Sequence, residues 1–101
     1  MIDDGFAFSG VDDAVIRRER SKARELRRTR WWKNKIAQRL CYYCGNETPM
    51  DELTMDHIVP LARGGRSTKN NLVASCKECN NLKKSMLPME WQEHIDRLDQ
   101  Q

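Results

Sequence analysis

The sequence predicts a single α+β domain in which a four-cysteine zinc knuckle and two short strands lie between flanking helices. The chain has 101 residues, which corresponds to one domain, residues 1–101. Residues 53–59 and 72–75 have the composition of strands, whereas residues 11–40 contain neither proline nor glycine. All of the cysteines fall into two Cys-x-x-Cys pairs, which are Cys41 with Cys44 and Cys76 with Cys79.

The N-terminal part is predicted to be a loose tail followed by a basic helix. Residues 1–10 form the tail, and residues 11–40 are expected to form one helix. The middle of this helix is very polar, because it holds only two clearly apolar residues, Ala23 and Leu26. A helix of this kind needs a partner or a ligand along its middle.

The later elements are marked by turn residues and by apolar periodicity. Pro60 ends the first strand, and Pro88 suits the first turn of the last helix, which has one apolar face. Tyr42 and Tyr43, inside the first cysteine pair, are interpreted as packing residues. The expected elements are a turn-rich metal knuckle at 41–49, a strand at 53–59, a polar loop at 63–70, a strand at 72–75, a helix at about 76–86 and a last helix at 87–101.

The charge is distributed unevenly along the chain. The net charge is +3, but residues 11–40 hold eleven Lys/Arg and four Asp/Glu, a net of +7, and the remainder carries −4. A positive segment of this kind is expected on a surface that meets a polyanion. No apolar run is long enough to span a membrane, and the N-terminus lacks the pattern of a secretory signal. We therefore expect a cytoplasmic protein without a membrane partner.

The two cysteine pairs predict a structural Zn²⁺ site. Four thiolates satisfy the tetrahedral preference of Zn²⁺ and leave no open position for a reacting water. The alternative is a cytosolic dithiol or redox pair. Thirty-one residues, 45–75, separate the pairs, whereas about 15–20 separate them in a plain zinc ribbon. Further structure must fill this interval.

Asp56, His57 and Asn80 form a second candidate site. A carboxylate and an amide oxygen suit Mg²⁺ or Mn²⁺, and a neutral imidazole can take a proton from water. These groups together can support phosphodiester hydrolysis. The alternative is that Asp56 and His57 are structural residues, and neighbours on a regular strand point to opposite faces.

The order of these residues resembles the motif of the HNH endonucleases, and more closely the four-cysteine branch of that family. The resemblance covers about residues 40–86. Asp56 precedes Asn80 by 24 positions, and His57 precedes Asn71 by 14. The motif reads Asp56-His57-Ile58-Val59-Pro60-Leu61, then Gly64-Gly65, then Asn71-Leu72, then Cys76-x-x-Cys79-Asn80-x-x-Lys83.

The resemblance implies a ββα-metal unit with two antiparallel strands, a connecting loop and a helix. It implies that Asp56 and Asn80 bind the catalytic divalent ion and that His57 is the general base. Asn71 would brace the loop that aims the histidine, and Lys83 would lie near the phosphate. The implied reaction is metal-dependent cleavage of DNA. This chain departs from many members of the family in carrying Asn80 where they have histidine.

The basic residues are interpreted as DNA-backbone contacts that give a nicking or cutting nuclease of low sequence specificity. The alternative is a solvated helix face with salt bridges to Glu19 and Glu25. RNA stays open as a substrate, and the first helix is a candidate homodimer surface. The rival function is a non-catalytic, zinc-dependent nucleic-acid-binding module. The candidate contacts are Arg17, Arg20, Arg24, Arg27, Arg28, Arg63, Arg66 and Lys83.

Overall fold

A computed structural model describes residues 11–99 of the chain. Four helices and a two-stranded antiparallel sheet confirm the predicted α+β class with a ββα unit and flanking helices. The expected tail at 1–10 and the last two residues of the expected C-terminal helix lie outside the described part. Within that part, no helix is long and apolar enough to cross a membrane. The elements are α1 (Asp13–Arg27), α2 (Arg30–Ala37), β1 (Leu53–His57), β2 (Leu72–Cys76), α3 (Lys77–Lys83) and α4 (Pro88–Asp99).

The prediction of one continuous helix over residues 11–40 is wrong, because the chain breaks between α1 and α2. Thr29 is extended, with φ −85° and ψ 159°, and it caps the N-terminus of α2. Its hydroxyl donates to the carbonyl of Leu26 at 2.6 Å and accepts from the amide of Trp32 at 3.4 Å. A threonine can satisfy backbone groups at a helix start in this way, so no proline or glycine is needed for the break.

The register of the sheet places Asp56 and His57 toward the end of the ladder that is away from Cys76. β1 and β2 are antiparallel, and their register runs from Leu53 opposite Cys76 to His57 opposite Leu72. β1 ends two residues before the predicted position, and α3 follows β2 directly and contacts both strands. α3 ends at Lys83, three residues before the predicted end, and Lys84 takes a positive φ of 47°.

The hydrophobic core is small and lies between α2 and the sheet. Trp32, Leu53 and Ala74 form its buried cluster, and Trp31, Ile36 and Met55 pack around it. A core of this size provides limited stability, so a metal crosslink next to it is physically reasonable.

The loop between the strands folds back on the end of β1 and requires glycine at two positions. Gly64 has a left-handed φ of 92°. A Cβ at Gly65 would lie 1.7 Å from the carbonyl oxygen of Val59, so no side chain fits there. The amide of Gly65 donates to the carbonyl of Pro60 at 2.9 Å. This close approach holds residues 65–67 against the strand end that carries His57.

Candidate metal centres and active site

The four cysteines come together as the sequence predicts. Their Sγ atoms all lie within 4.8 Å of one another, and Cys44 Sγ is 4.0 Å from Cys76 Sγ. A tetrahedral Zn²⁺ with bonds of about 2.3 Å would place its sulfurs about 3.8 Å apart. The cluster therefore fits a zinc ion after a small contraction. The candidate ligands are Cys41 and Cys44 from the knuckle, Cys76 at the end of β2 and Cys79 in α3.

The backbone around the cysteines favours the ionised form of Cys41. Burial opposes ionisation of this thiol, but backbone hydrogen bonds, including one from the amide of Tyr43 at 3.3 Å, lower its pKa to about 7. In contrast, burial and then contacts with the neighbouring thiols raise the pKa of Cys79. Four thiolates cannot crowd together without a cation, and a closed four-sulfur shell is the arrangement of a structural metal.

Asp56 lies in β1 with one carboxylate oxygen engaged and the other available. Its Oδ2 accepts a hydrogen bond from the hydroxyl of Tyr43 at 2.5 Å and lies 3.3 Å from the ammonium of Lys83. Within residues 11–99, its Oδ1 receives no hydrogen bond. The side chain keeps 12% of its surface exposed, so Oδ1 can contribute an oxygen ligand to a hard cation.

Lys83 does not occupy the surface position expected of a phosphate contact. It is fully buried, and its Nζ donates to the carbonyl of His57 at 3.2 Å and lies over the ring of Tyr43. A buried ammonium requires a countercharge, and Asp56 supplies it. The sequence interpretation of Lys83 as a nucleic-acid contact is therefore corrected: α3 packs on the sheet and directs this residue inward.

Tyr43 is more than the packing residue expected from the sequence. Its hydroxyl donates to Asp56, and burial, together with that hydrogen bond, raises the pKa of Tyr43, so the phenol stays protonated. Its ring packs edge-on against Trp91 of α4 at 5.5 Å between centroids. A cavity of about 410 Å³ opens between this aromatic pair and Lys83. No local pattern could reveal the contact with Asp56, because it joins residues 13 positions apart.

Asn80 lies on α3, three residues before Lys83. Residues three apart share one face of a helix, and Lys83 reaches Asp56 and the carbonyl of His57 in β1. Asn80 is half-buried, and its spacing from Lys83 predicts that it shares the helix face of that residue.

His57 ends β1, and its ring faces a different partner from the side chain of Asp56. Its Nε2 is 2.9 Å from the hydroxyl of Ser67 in the loop, as strand alternation requires. Burial lowers the pKa of His57, with a smaller opposing effect from the carboxylates of Asp56 and Glu19. The imidazole is therefore neutral at neutral pH, which is the form that accepts a proton.

Asn71 ties the loop to the end of β1. Its side-chain oxygen accepts from the amide of Val59 at 2.9 Å. Its side-chain nitrogen donates to the carbonyls of Val59 at 3.0 Å and Arg66 at 2.8 Å. These three bonds connect both ends of the loop that carries Ser67.

Glu19 of α1 is a buried acidic residue that reaches the same loop. It is only 2% exposed, and its Oε1 accepts from the amide of Ser67 at 2.6 Å. That bond is the main reason why the pKa of Glu19 is lowered. Its Oε2 lies 3.2 Å from Lys22 and 3.4 Å from Arg66. The sequence showed Glu19 only as a possible partner on a solvated face, because its main contact is 48 positions away.

The arginines of α1 are exposed, as the prediction of a nucleic-acid surface requires. Spacings of three, four and three place four of them on one helix face, and Glu19 pairs with Lys22 and Arg66 rather than with these side chains. In the loop, Arg63 pairs with Glu90 of α4 at 3.1 Å, and Arg66 keeps 62% of its side chain exposed. The predicted contacts of this segment are all exposed, and they are Arg17, Arg20, Arg24 and Arg27 in α1 and Arg28 at its C-terminal cap.

Comparison with known proteins gives a family and two relatives. The sequence profile of a family described as HNH endonuclease matches residues 41–96. A CRISPR-associated endonuclease Cas9 of Corynebacterium diphtheriae is 43% identical over 56 residues, which are 52% of this chain and 5% of the relative. A Cas9 of Actinomyces naeslundii is 43% identical over 44 residues, which are 43% of this chain and 4% of the relative. The chain therefore spans a small fraction of the curated relatives that it matches.

Proposed function

Because this chain belongs to the HNH endonuclease family, we propose that it is a metal-dependent nuclease domain that hydrolyses DNA phosphodiester bonds with little sequence preference. One observation carries the proposal. At the end of β1, Asp56 keeps a carboxylate oxygen without a hydrogen bond from residues 11–99, and the next residue, His57, is a half-buried imidazole of lowered pKa. A carboxylate for a cation and a neutral base are the two groups that hydrolysis needs.

In this proposal, Asp56 and Asn80 hold a divalent ion, Mg²⁺ or Mn²⁺. Both residues offer oxygen ligands, and their small number leaves positions for water and phosphate oxygens. Such an ion, when bound, stabilises negative charge on the scissile phosphate and on the leaving oxygen. Tyr43 and Lys83 support this role, because they hold Asp56 Oδ2 and direct the other oxygen away from them.

His57 takes the proton of the attacking water. Asn71 contributes indirectly, because its three backbone bonds hold the loop against the strand end. The carbonyl of His57 accepts from Lys83, which limits movement of the base relative to Asp56. The four cysteines hold a structural Zn²⁺ that joins the knuckle to the junction of β2 and α3.

The exposed arginine face of α1 supplies the nucleic-acid surface. Its guanidinium groups are those of Arg17, Arg20, Arg24 and Arg27 in α1 and of Arg28 at the C-terminal cap of this helix. They suit a phosphate backbone without base-specific readout. The proposed single active site cleaves one strand, so the first product expected from a closed circular duplex is a nicked circle. A homodimer along α1 stays a prediction, to be tested by sedimentation equilibrium.

The test uses supercoiled plasmid with the zinc-loaded protein and Mg²⁺ or Mn²⁺, with and without EDTA. We expect relaxed circles from the wild type with metal and a rate about 10²–10⁴-fold lower from His57→Ala, the usual contribution of a general base. His94→Ala is the matched control, because His94 is the other histidine of the chain. A parallel reaction with labelled RNA compares the two substrates.

Plasmid that is retarded on a gel but never cleaved would contradict the proposal. That result would favour the non-catalytic zinc-dependent binding module. Equal activity of His57→Ala and the wild type would remove His57 from the mechanism.

A further inference from the structure

The hydroxyl of Ser67 lies between two groups, and its single proton can serve only one of them. Ser67 Oγ is 2.5 Å from the carbonyl oxygen of Glu19 and 2.9 Å from His57 Nε2. A carbonyl oxygen has no proton and can only accept, whereas an imidazole nitrogen can donate or accept. If Ser67 turned its proton toward the histidine, two lone pairs would face each other at the shorter contact. The proton of Ser67 therefore points to Glu19.

This arrangement determines the protonation of His57. Because the proton of Ser67 is used, Ser67 Oγ must accept at the other contact, and His57 Nε2 must donate. In a neutral imidazole the second nitrogen, Nδ1, then carries the free lone pair. We propose that Ser67, held by Glu19 of α1, is the positioning residue that fixes His57 as its Nε2–H tautomer and leaves Nδ1 to accept the proton of the attacking water.

Glu19 holds Ser67 in two ways at once. Its side-chain Oε1 accepts from the amide of Ser67 at 2.6 Å, and its main-chain oxygen accepts from the hydroxyl. Glu19 is 2% exposed and Ser67 is 5% exposed, so water does not compete for these bonds. Lys22 and Arg66 balance the charge of the carboxylate. These two hydrogen bonds from Ser67 to Glu19, called the clamp below, therefore have a defined geometry. The hydroxyl of Ser67 cannot rotate without losing a buried hydrogen bond.

The clamp gives α1 a second task. The matched family segment is 41–96, and Glu19 lies outside it. The helix that carries the exposed arginines thus also provides Glu19, which holds Ser67 beside the proposed base, His57. The catalytic meaning of the tautomer rests on the proposed nuclease function, but the hydrogen-bond arrangement itself does not.

The test is the tautomer of His57, measured by long-range ¹H–¹⁵N correlation in the histidine-labelled, zinc-loaded chain of 101 residues. A sample at about pH 8 keeps an ordinary histidine neutral, and His94 gives the second signal of the chain as an internal reference. We expect the nitrogen that couples to both ring CH protons, Nε2, to be the protonated one in His57. No substrate or catalytic ion is needed.

Ser67→Ala should change this signature, since the methyl group offers no acceptor. We expect His57 to move to a mixture of tautomers, and the cleavage rate to fall on the order of 10-fold with KM for plasmid unchanged, a part of the 10²–10⁴ that a positioned base contributes. Ser75→Ala is the matched control, because Ser75 is also buried but its hydroxyl donates to the carbonyl of Cys76. Its His57 signals should match those of the wild type.

A wild-type His57 protonated on Nδ1 would overturn the inference, and so would a folded Ser67→Ala protein with an unchanged tautomer. If that variant fails to fold, the wild-type spectrum decides alone. The proposed nuclease function and the proposed role of Ser67 can also be refuted independently of each other. A protein with the expected tautomer that never cleaves plasmid refutes the nuclease function, whereas an active nuclease with Nδ1–H refutes only the role of Ser67.

Discussion

The cysteine cluster and the end of β1 are two polar centres that are connected by the same helix, α3, yet they are built for different tasks. The cluster is closed, since its four ligands face one another and come from two local pairs. At the end of β1, one carboxylate oxygen of Asp56 has no hydrogen bond from the described residues. The other oxygen contacts Lys83 of α3 and Tyr43 of the knuckle. A closed ligand set suits a structural ion, and an incomplete one suits an exchangeable ion.

The two centres also differ in how they balance buried charge. The cysteine cluster has no cationic side chain among its ligands and depends on a metal ion. The carboxylate of Asp56 has a built-in countercharge in Lys83. Loss of zinc from the cysteine cluster should therefore unfold the protein, whereas loss of a divalent ion from Asp56 should leave it folded. Two predictions test this contrast, and a third tests the arginine surface of α1.

The largest effect is expected from removal of zinc. A strong chelator should abolish the cooperative thermal transition and most of the far-UV CD signal, because a zinc site of this kind contributes on the order of 10 kcal/mol to folding. Transfer into buffer that lacks only Mg²⁺ and Mn²⁺ should leave both signals unchanged. A metal-free protein that keeps its full transition would show that the cluster is not structural.

An intermediate effect is expected from Lys83→Met. The substitution leaves the carboxylate of Asp56 with Tyr43 alone, and breaking a buried ion pair costs about 3–5 kcal/mol. Denaturant unfolding should show this loss. Millimolar Mn²⁺ should narrow the gap to the wild type, because a bound ion replaces the missing positive charge. If Mn²⁺ stabilises both proteins equally, Asp56 is not a ligand of that ion.

The smallest effect on folding, but a clear one on binding, is expected from Arg20→Ala/Arg24→Ala. Both side chains are exposed, so stability should change by less than about 0.5 kcal/mol for each. The slope of log K against log salt for duplex DNA should fall by about 1.8, which is about 0.9 for each lost phosphate contact. Lys77→Ala/Arg97→Ala removes the same charge at exposed positions elsewhere and is the control. Equal slopes for the two double variants would exclude α1 as the nucleic-acid surface.

The elements that were predicted well are those whose signals are local. The two cysteine pairs, the strand before Pro60 and the start of the last helix at Pro88 each depend on a few neighbouring residues. The features that the sequence analysis missed depend on competition between side-chain and backbone hydrogen bonds, or on contacts between residues that are far apart in the sequence. Thr29 ends the first helix by forming hydrogen bonds with backbone groups. The predicted helix contained no proline or glycine, so nothing in the sequence pattern indicated this break.

The sequence by itself determined which sulfur and oxygen atoms the two centres can offer to a metal, because residue type and spacing decide which groups a turn or a strand carries. Tertiary structure alone decided that Lys83 is buried against Asp56, that Tyr43 bonds to the same carboxylate and that Glu19 clamps Ser67 beside His57. These contacts join residues 13 to 48 positions apart. The helical or strand period of a sequence predicts which residues share a face, but tertiary packing determines which residues that face contacts. Burial and the neighbouring groups then determine the charge and the proton position of each titratable group.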